Sequence, residues 1–438
     1  MPQAEINTLA DILAACVNTT GTTSACSTLF NDAQSGGTTG TQPSDTATAA
    51  INIAHNPSTN IAALYGTASA SPPFSGLATQ PNDFTIAINY TGAGVSMPYA
   101  LAIDSSGDVW VTDTYTDSAS ELYAGNVNGA YYAWSSNSPI TGLGYPEGIA
   151  IDGSGNAWVS NYTSNSLSEF TSSGSAVSGS PFTGGGLNGP FSIAIHPLGY
   201  LLVVNRLGNN VSVFSLGGSA VSGSPVSGGG LDGGPFGIAV DISGHVWTTN
   251  PGAYTLSEFS PSGTALSPAA GWGNGNKMSA PKNFAIDASG NLWIADGNLV
   301  ISALSEYTPS TTPPTMGTFS SASPMSGGGL DWPWGVAIDG AGNVWTSNYY
   351  SGYAAISEFN PNTGAFVTQT PGYITKSGAG TPIGIAIDGS GNVWVACQGD
   401  YGYNDGTLTE YVGAAAPVVT PMVANLMSPY GAAAVNKP

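Results

Sequence analysis

The chain has 438 residues, enough for about three average domains, but only 7% of them are charged against a usual ~25%, and the formal net charge is −21. Such an acidic chain is repelled by nucleic-acid phosphates and by anionic lipid, so neither is expected as a partner. Membrane insertion is not expected either, because no stretch approaches the roughly 18 consecutive apolar residues of a membrane span. The 41% of apolar residues can still build a large core.

Residues 1–80 are predicted to form a small helical region. Apolar residues in Glu5–Val17 recur near helical spacing. The pair Ser44-Asp45 can cap a second helix that reaches about His55, and Pro57 ends it. Two short helices bury little apolar surface alone, so we expect this region to pack on the domain that follows.

Cys16 and Cys26 lie ten residues apart within this region. They are predicted to form a disulfide in an oxidising compartment, the alternative being two buried free thiols. A scarcity of Lys and an abundance of Thr, Ser and Gly also indicate a secreted or cell-surface protein. The first residues lack the features of an export signal, which we therefore expect to have been removed.

One sequence phrase then recurs seven times: Pro-x-x-φ-Ala-φ-Asp (φ, apolar), a Gly-containing turn, φ-Trp-φ-x-Asn/Asp, and later Ser-Glu-Phe or a close variant. Its copies begin, about 47 residues apart, at Pro98, Pro146, Pro190, Pro235, Pro281, Pro333 and Pro382. Each copy is consistent with four short strands, which is typical of a propeller blade. The predicted fold is therefore all-β, a seven-bladed β-propeller of four-stranded antiparallel blades over residues 81–415, preceded by the helical region.

The third copy departs most from the phrase. His196-Pro197 replaces the Asp and its turn, and Val203 is assigned to the place of the Trp. In the seventh copy, Cys397 falls at the end of the second strand, where it is expected to be packed rather than reactive.

Ring closure can use either end of the chain. Phe84–Tyr90 is an extra predicted strand ahead of the first copy, and pairing it with the last blade would leave no open edge. Residues 416–421 also resemble a strand, so the tail 416–438 either packs on the propeller or closes the last blade itself. We favour closure by the N-terminal strand.

The recurring phrase resembles that of NHL-repeat β-propellers, notably in Pro146–Asn161 followed by Ser168-Glu169-Phe170. The resemblance covers Pro98 to Val412 and implies a seven-bladed fold, similar to secreted bacterial NHL-repeat proteins. Streptogramin lyases are related in fold, and the resemblance implies a catalytic His near a metal for their activity. His196 and His245 fall in predicted hairpin turns and His55 lies outside the propeller, which argues against that chemistry.

Three residue types recur in the copies, and each has a structural interpretation. The Asp that precedes each turn is expected to accept turn amides, with a Ca²⁺ site as the alternative. The Trp is expected to pack between blades, and the Glu of Ser-Glu-Phe to face solvent or pair within its blade. The six tryptophans are Trp110, Trp158, Trp247, Trp293, Trp345 and Trp394.

Function in a propeller usually resides where loops meet around the channel, so positions that differ between copies there are informative. The residue after each opening Pro is predicted to line the channel mouth: Tyr99, Glu147, Phe191, Phe236, Lys282, Trp334 and Ile383. Strand two should end on the same face, adding Asn161, Asn205, Arg206, Asn250, Asp296 and Asn348. Aromatic rings with amide and carboxylate groups suit a sugar, unless the rings only plug the channel.

The favoured function is thus a secreted, non-enzymatic propeller that binds a carbohydrate or an extracellular protein at the channel mouth. One alternative is a metal-dependent lactonase or related hydrolase centred on Glu147. Another is a structural cell-surface protein that self-associates. No cofactor is expected, a divalent cation being the one alternative.

Overall fold

A computed structural model describes residues 3–19, 23–68, 72–81, 83–127, 130–273, 277–297, 302–350, 354–368, 372–375, 380–399 and 405–418. The chain divides into two compact units. The first comprises residues 1–89 with 390–393 and 409–416, and the second comprises the remainder. None of the helices in the described residues is both long enough and apolar enough to span a membrane.

Four helices lie near the N-terminus of the described chain: α1 (Gln3–Val17), α2 (Ser24–Asp32), α3 (Thr46–His55) and α4 (Ile61–Thr67). The predicted helices α1 and α3 are confirmed, and Asp45 caps α3 by accepting the Thr48 amide at 2.8 Å. The sequence patterns did not indicate α2 and α4. A disulfide joins Cys16 to Cys26, and both lie in a core with Ile12 and Leu29.

The fold is a seven-bladed β-propeller with antiparallel blades, as predicted. Strand β1 (Ala87–Tyr90) precedes the first blade. Blade 1 contains β2 (Pro98–Ile103), β3 (Val109–Asp113), β4 (Ser118–Val127), β5 (Ala130–Trp134) and β6 (Ile140–Thr141), and blade 2 contains β7 (Pro146–Ile151), β8 (Ala157–Asn161), β9 (Ser166–Phe170) and β10 (Phe182–Thr183). Blade 3 contains β11 (Pro190–His196), β12 (Tyr200–Asn205) and β13 (Asn210–Ser215).

Blades 4 to 7 follow the same plan. Blade 4 contains β14 (Ile238–Val240), β15 (Val246–Asn250) and β16 (Thr255–Phe259), and blade 5 contains β17 (Pro281–Ile286), β18 (Leu292–Gly297), β19 (Ser302–Thr308) and β20 (Thr318–Phe319). Blade 6 contains β21 (Pro333–Ile338), β22 (Val344–Asn348), β23 (Ala354–Asn360), β24 (Ala365–Phe366) and β25 (Tyr373–Thr375). Blade 7 contains β26 (Pro382–Ile387), β27 (Val393–Cys397) and β28 (Thr407–Tyr411). In blades 3 and 4, isolated bridges stand in place of a fourth strand.

Ring closure uses the N-terminal strand, as favoured from the sequence. The last sheet has the order β1-β28-β27-β26, so β1 is its outer strand. Thr409 donates to the Asn89 side chain at 2.8 Å across the β1/β28 pair. The innermost strands contact their neighbours in chain order, and β26 contacts β2. Of the tail, only residues up to 418 are described, and the proposed strand 416–421 lies mostly outside them.

The recurring tryptophans pack between blades, which confirms their prediction. All six are at most 1% exposed. Trp158 of blade 2 contacts Ile195 and Phe214 of blade 3, and Trp293 of blade 5 contacts Ile338 and Phe359 of blade 6. These two tryptophans therefore supply apolar contacts that join their blades to the next ones.

The third blade corrects one assignment. Trp158 pairs with Ala150, and the corresponding Ala194 pairs with Leu202, not with Val203. Leu202 therefore takes the tryptophan position, and it packs on Val240 of blade 4. The assignment to Val203 was displaced by one residue, and a shift by one residue places a side chain on the opposite face of a strand.

The recurring aspartates cap the turn between the first two strands of their blades, as predicted. In blade 2, Asp152 Oδ1 accepts the amides of Ser154 and Asn156 at 2.8 and 3.0 Å, while Oδ2 accepts the Trp158 indole N–H at 3.2 Å. His196 substitutes for this aspartate in blade 3. Its Nδ1 accepts the Leu198 amide at 3.0 Å, which leaves the proton on Nε2 to donate to the Gly244 carbonyl.

Candidate functional site at the channel mouth

The first strand of most blades is irregular just after its opening proline. In β7 the pairing with β8 shifts register between Pro146 and Ile149. The same shift occurs in β2, β11, β17 and β21. A bulge at a strand end redirects the side chain there, in this case the residue predicted to line the mouth.

Hydroxyl groups of the preceding blade fix the backbone of these mouth residues. Thr112 donates to the Glu147 carbonyl at 3.1 Å, Thr249 to the Lys282 carbonyl at 2.5 Å and Ser347 to the Ile383 carbonyl at 2.6 Å. Ser160 makes the same bond to the Phe191 carbonyl. Side chains from different blades are thus held at defined positions around one channel.

Glycine follows the mouth residue where the inner strands approach most closely. A Cβ atom on Gly148 would lie 2.3 Å from the Phe191 carbonyl oxygen, and one on Gly335 would lie 2.5 Å from that of Ile383. These distances are shorter than any van der Waals contact, so the strand approach requires glycine.

The four aromatic mouth residues form a closed ring of contacts. Phe236 lies 4.4 Å from Phe191 and 5.4 Å from Trp334 between ring centroids, and Tyr99 lies 5.8 Å from Phe191 and 6.5 Å from Trp334. Phe191 and Phe236 are 2% and 1% exposed, whereas Tyr99 and Trp334 are partly exposed. The two phenylalanines therefore fill the channel as core, and only Tyr99 and Trp334 are accessible.

Two cations lie over this ring. The Arg206 guanidinium is 5.3 Å from the Phe191 centroid and 5.5 Å from that of Phe236, and the Lys282 ammonium is 4.9 Å from the Trp334 ring. Burial and the nearby Arg206 charge lower the pKa of Lys282 to about 8. Arg206 is the only arginine in the sequence, and its side chain is exposed. A scarce positive charge is thus placed at the mouth of an acidic protein.

Glu147 is the carboxylic acid of the mouth. It is 5% exposed, and its Oε2 has no hydrogen-bond partner among the described residues. Burial raises the pKa of Glu147 to about 8, although Arg206 and a hydrogen bond with Tyr99 oppose the shift. Burial also raises the pKa of Tyr99. Glu147 is therefore mostly protonated at neutral pH and can donate a hydrogen bond.

A cavity of about 360 Å³ lies at this level of the channel, lined in part by Tyr99, Glu147, Phe191, Asn283, Gly335 and Ile383. Aliphatic residues of the inner strands surround a second cavity of about 330 Å³ farther along. Apolar walls provide few ligands for a metal. Within the described residues, Glu147 belongs to no group of three His, Cys, Asp or Glu side chains close enough to hold an ion.

The strand-end residues predicted to contact a ligand are buried. Arg206 is the exception, and each of the other five is at most 1% exposed and bonds within its blade or to the adjoining loop. The bonds are Asn161 to Ser168, Asn205 to Asn210, Asn250 to Ser257, Asn348 to Ser357, and the Ser279 amide to Asp296. These groups support the loops, and burial raises the pKa of Asp296 to about 6. Ligand contact by any of the five remains a prediction.

The sequence analysis missed a second aromatic group around the same mouth. The tyrosines Tyr115, Tyr145, Tyr254 and Tyr350 are 42–61% exposed, and all lie in loops that join strand ends on this face. Trp332 stacks on Tyr350 with centroids 5.7 Å apart, and Trp334 stacks on Tyr349 at 4.9 Å. The sequence does contain a signal for two of these residues, because Tyr145 and Trp332 each stand directly before an opening proline.

No family model matches this chain, and no curated protein matches it. Virginiamycin B lyase from Staphylococcus aureus is similar in structure (TM-score 0.58, 16% identity, 74% of this chain and 98% of that one). So are the WD40 β-propeller domain of Doa1 (0.54, 9%, 74% and 95%) and Kuenenia stuttgartiensis hydrazine synthase (0.53, 14%, 72% and 95%). These likenesses show the fold alone, and membership of the NHL-repeat family stays a prediction.

None of the three histidines of the sequence lies at the channel mouth. His196 and His245 lie in or beside the turns at the opposite ends of the strands, and His55 ends α3. The His245 Nδ1 is 3.0 Å from the Glu258 carboxylate within blade 4. Both propeller histidines therefore lie in turns, as expected from the sequence, where His196 also bonds to Gly244 of the next blade and His245 bonds within blade 4.

Proposed function

We propose that this protein is a secreted, non-enzymatic propeller that binds a carbohydrate at the channel-mouth face. The observation that carries the proposal is the stack of the half-buried Trp332 on the exposed Tyr350, with the exposed Asp331 next to Trp332 in the chain. Sugars present C–H faces that stack on aromatic rings and hydroxyl groups that bond to carboxylates. An extracellular protein partner is the other kind of ligand that such a surface fits.

The distribution of exposed rings supports the choice of face. All the tyrosines with more than 40% exposure in the described residues lie around the mouth, whereas the large apolar residues exposed at the other end of the blades in these residues, Leu198, Ile242 and Met316, carry no ring. Secretion is supported by the disulfide and by the low content of charged residues. Arg206 adds a positive charge that favours sugars with an acidic group.

The test is a glycan array of neutral and uronate-containing sugars, followed by calorimetry with the best ligand. Tyr350→Ala and Trp332→Ala should each weaken binding about fivefold or more, the effect of losing ~1 kcal/mol at an aromatic anchor. Leu198→Ala is the matched control and should bind normally. If no glycan binds, or if both aromatic variants bind normally, the carbohydrate proposal is rejected.

The hydrolase alternative depends on one observation, the buried Glu147 with its raised pKa beside a cavity. A proton donor of that kind can serve general acid catalysis. Hydrolysis of simple lactones by the wild type, lost in Glu147→Gln but kept in Tyr350→Ala, would establish the enzyme in place of the binding protein.

A further inference from the structure

In blades 2, 4 and 6, the buried glutamate receives a hydrogen bond from one position of the turn, four residues after the capping aspartate. Asn156 donates to Glu169 at 2.9 Å in blade 2, and Asn343 donates to Glu358 at 3.0 Å in blade 6. His245 occupies the position in blade 4, 3.0 Å from Glu258. An N–H donor thus satisfies a carboxylate that water cannot reach.

Blade 1 has Asp108 at this position, and an aspartate side chain brings a second acceptor instead of a donor. Oxygens of Asp104, Asp108 and Glu121 all lie within 4.8 Å of one another. Glu121 is 0% exposed, and neither of its oxygens makes a hydrogen bond of good geometry in the described residues. The hydroxyls of Ser135 and Tyr123 are neutral polar groups near that carboxylate, and neither carries a positive charge.

Trp110 indicates independently that the carboxylates of blade 1 are arranged differently from those of the other blades. In blades 2, 4, 5, 6 and 7 the tryptophan indole N–H donates to the capping aspartate at 2.9–3.2 Å. Trp110 is equally buried, but its N–H has no acceptor among the described residues. Trp110 and Glu121 are directly opposite each other in the β3/β4 pair. The indole N–H and the carboxylate that lack partners among the described residues therefore lie on the same face of the sheet.

We propose that Asp104, Asp108 and Glu121 bind one Ca²⁺ ion in blade 1. Only oxygen ligands are present, as a hard cation prefers, and ligands on opposite sides of Ca²⁺ are about 4.6–5.2 Å apart. Asp104 and Glu121 are buried and Asp108 is half-buried, so three negative charges this close together are costly, whereas a divalent ion compensates them. Remaining coordination positions can be filled by water.

The backbone already holds two of the ligands in place. Asp104 Oδ1 accepts the amides of Ser106 and Asp108 at 2.8 and 3.0 Å, and Asp108 Oδ1 accepts the Ala124 amide at 2.6 Å. The ion would therefore link the turn between β2 and β3 to strand β4. This turn lies at the opposite end of the strands from the mouth, so the site is independent of the proposed carbohydrate binding.

The full chain is the sample, with Ca²⁺, Mg²⁺ and Tb³⁺ as probes. We expect calorimetry to give one Ca²⁺ per chain, chelation with EGTA to lower the thermal midpoint by several degrees, and Trp110 to sensitise Tb³⁺ luminescence. Asp108→Asn reproduces the residue found in blades 2, 5, 6 and 7. This variant should fold, its thermal midpoint should not change on addition of EGTA, and its affinity for Ca²⁺ should be at least tenfold lower.

Two further variants complete the design. Asp232→Asn removes the same charge from an exposed position and should leave Ca²⁺ binding unchanged. Glu121→Gln provides a second disruption if Asp108→Asn fails to fold. Absence of stoichiometric binding and of any midpoint shift in the wild type would overturn the proposal in favour of carboxylates that share protons. Retained binding in both site variants would also overturn it and place the ion elsewhere.

Discussion

At the scale of single residues, one tryptophan in each of blades 2, 4, 5, 6 and 7 combines burial with a hydrogen bond to the capping aspartate. Trp247 is fully buried, contacts Phe284 and Tyr307 of the next blade, and donates its indole N–H to Asp241 at 3.0 Å. Leu202 keeps the packing in blade 3 without the polar bond. The apolar contact with the next blade is therefore kept in blade 3, whereas the hydrogen bond to the turn residue is not.

Replacing Trp247 by Ala should lower the free energy of unfolding by ~3–5 kcal/mol, because it leaves a cavity between blades and removes the indole donor to Asp241 Oδ2. Urea denaturation monitored by far-UV circular dichroism measures the loss. Leu198→Ala, at a 63% exposed position, should stay within ~0.5 kcal/mol of the wild type. A loss below about 1 kcal/mol in the tryptophan variant would contradict its core role.

At the scale of elements, the inner strands determine both the channel and the mouth. Their bulges direct the residue after each opening proline, and glycines such as Gly148 let neighbouring strands approach. The outer edge of the last blade is completed by β1, from the other end of the described chain. Such closure removes an open edge at the join, where unpaired backbone groups would otherwise invite aggregation.

Gly148→Ala should destabilise the protein by ~1–3 kcal/mol, because the added Cβ would overlap the Phe191 carbonyl and force two strands apart. Gly153→Ala is the control within the same blade, since a Cβ there meets nothing within 4 Å. Thermal unfolding of both variants compares the effects. Equal midpoints would show that the strands separate without cost.

At the scale of the whole molecule, the buried carboxyls link stability to pH. Burial raises the pKa of Glu147 and of Glu358 to about 8 in the folded protein, well above the value of an exposed glutamate. The folded state therefore binds these protons more tightly than the unfolded state. The stability that they contribute is fully present in acid and is lost as pH rises through about 8.

Between pH 6.5 and 8, the free energy of unfolding should fall by at least about 1 kcal/mol. His196 has a lowered pKa and acts mainly below this window, and Lys282, with a pKa of about 8, acts mainly above it. Urea titrations at several pH values measure the slope, which Glu358→Gln should reduce. A flat or rising profile would mean that neither glutamate is protonated in the folded state.

The sequence by itself determined the blades, their number, the inter-blade tryptophans and the capping aspartates, because each depends on a local pattern that recurs seven times. Tertiary structure decided which aromatic side chains are accessible. Phe236 and Tyr99 occupy the same repeat position, yet only the partly exposed Tyr99 remains accessible, since exposure depends on how seven different side chains meet around one channel. It also decided that Asp108 meets Glu121, because β4 returns beside the turn only in the folded blade.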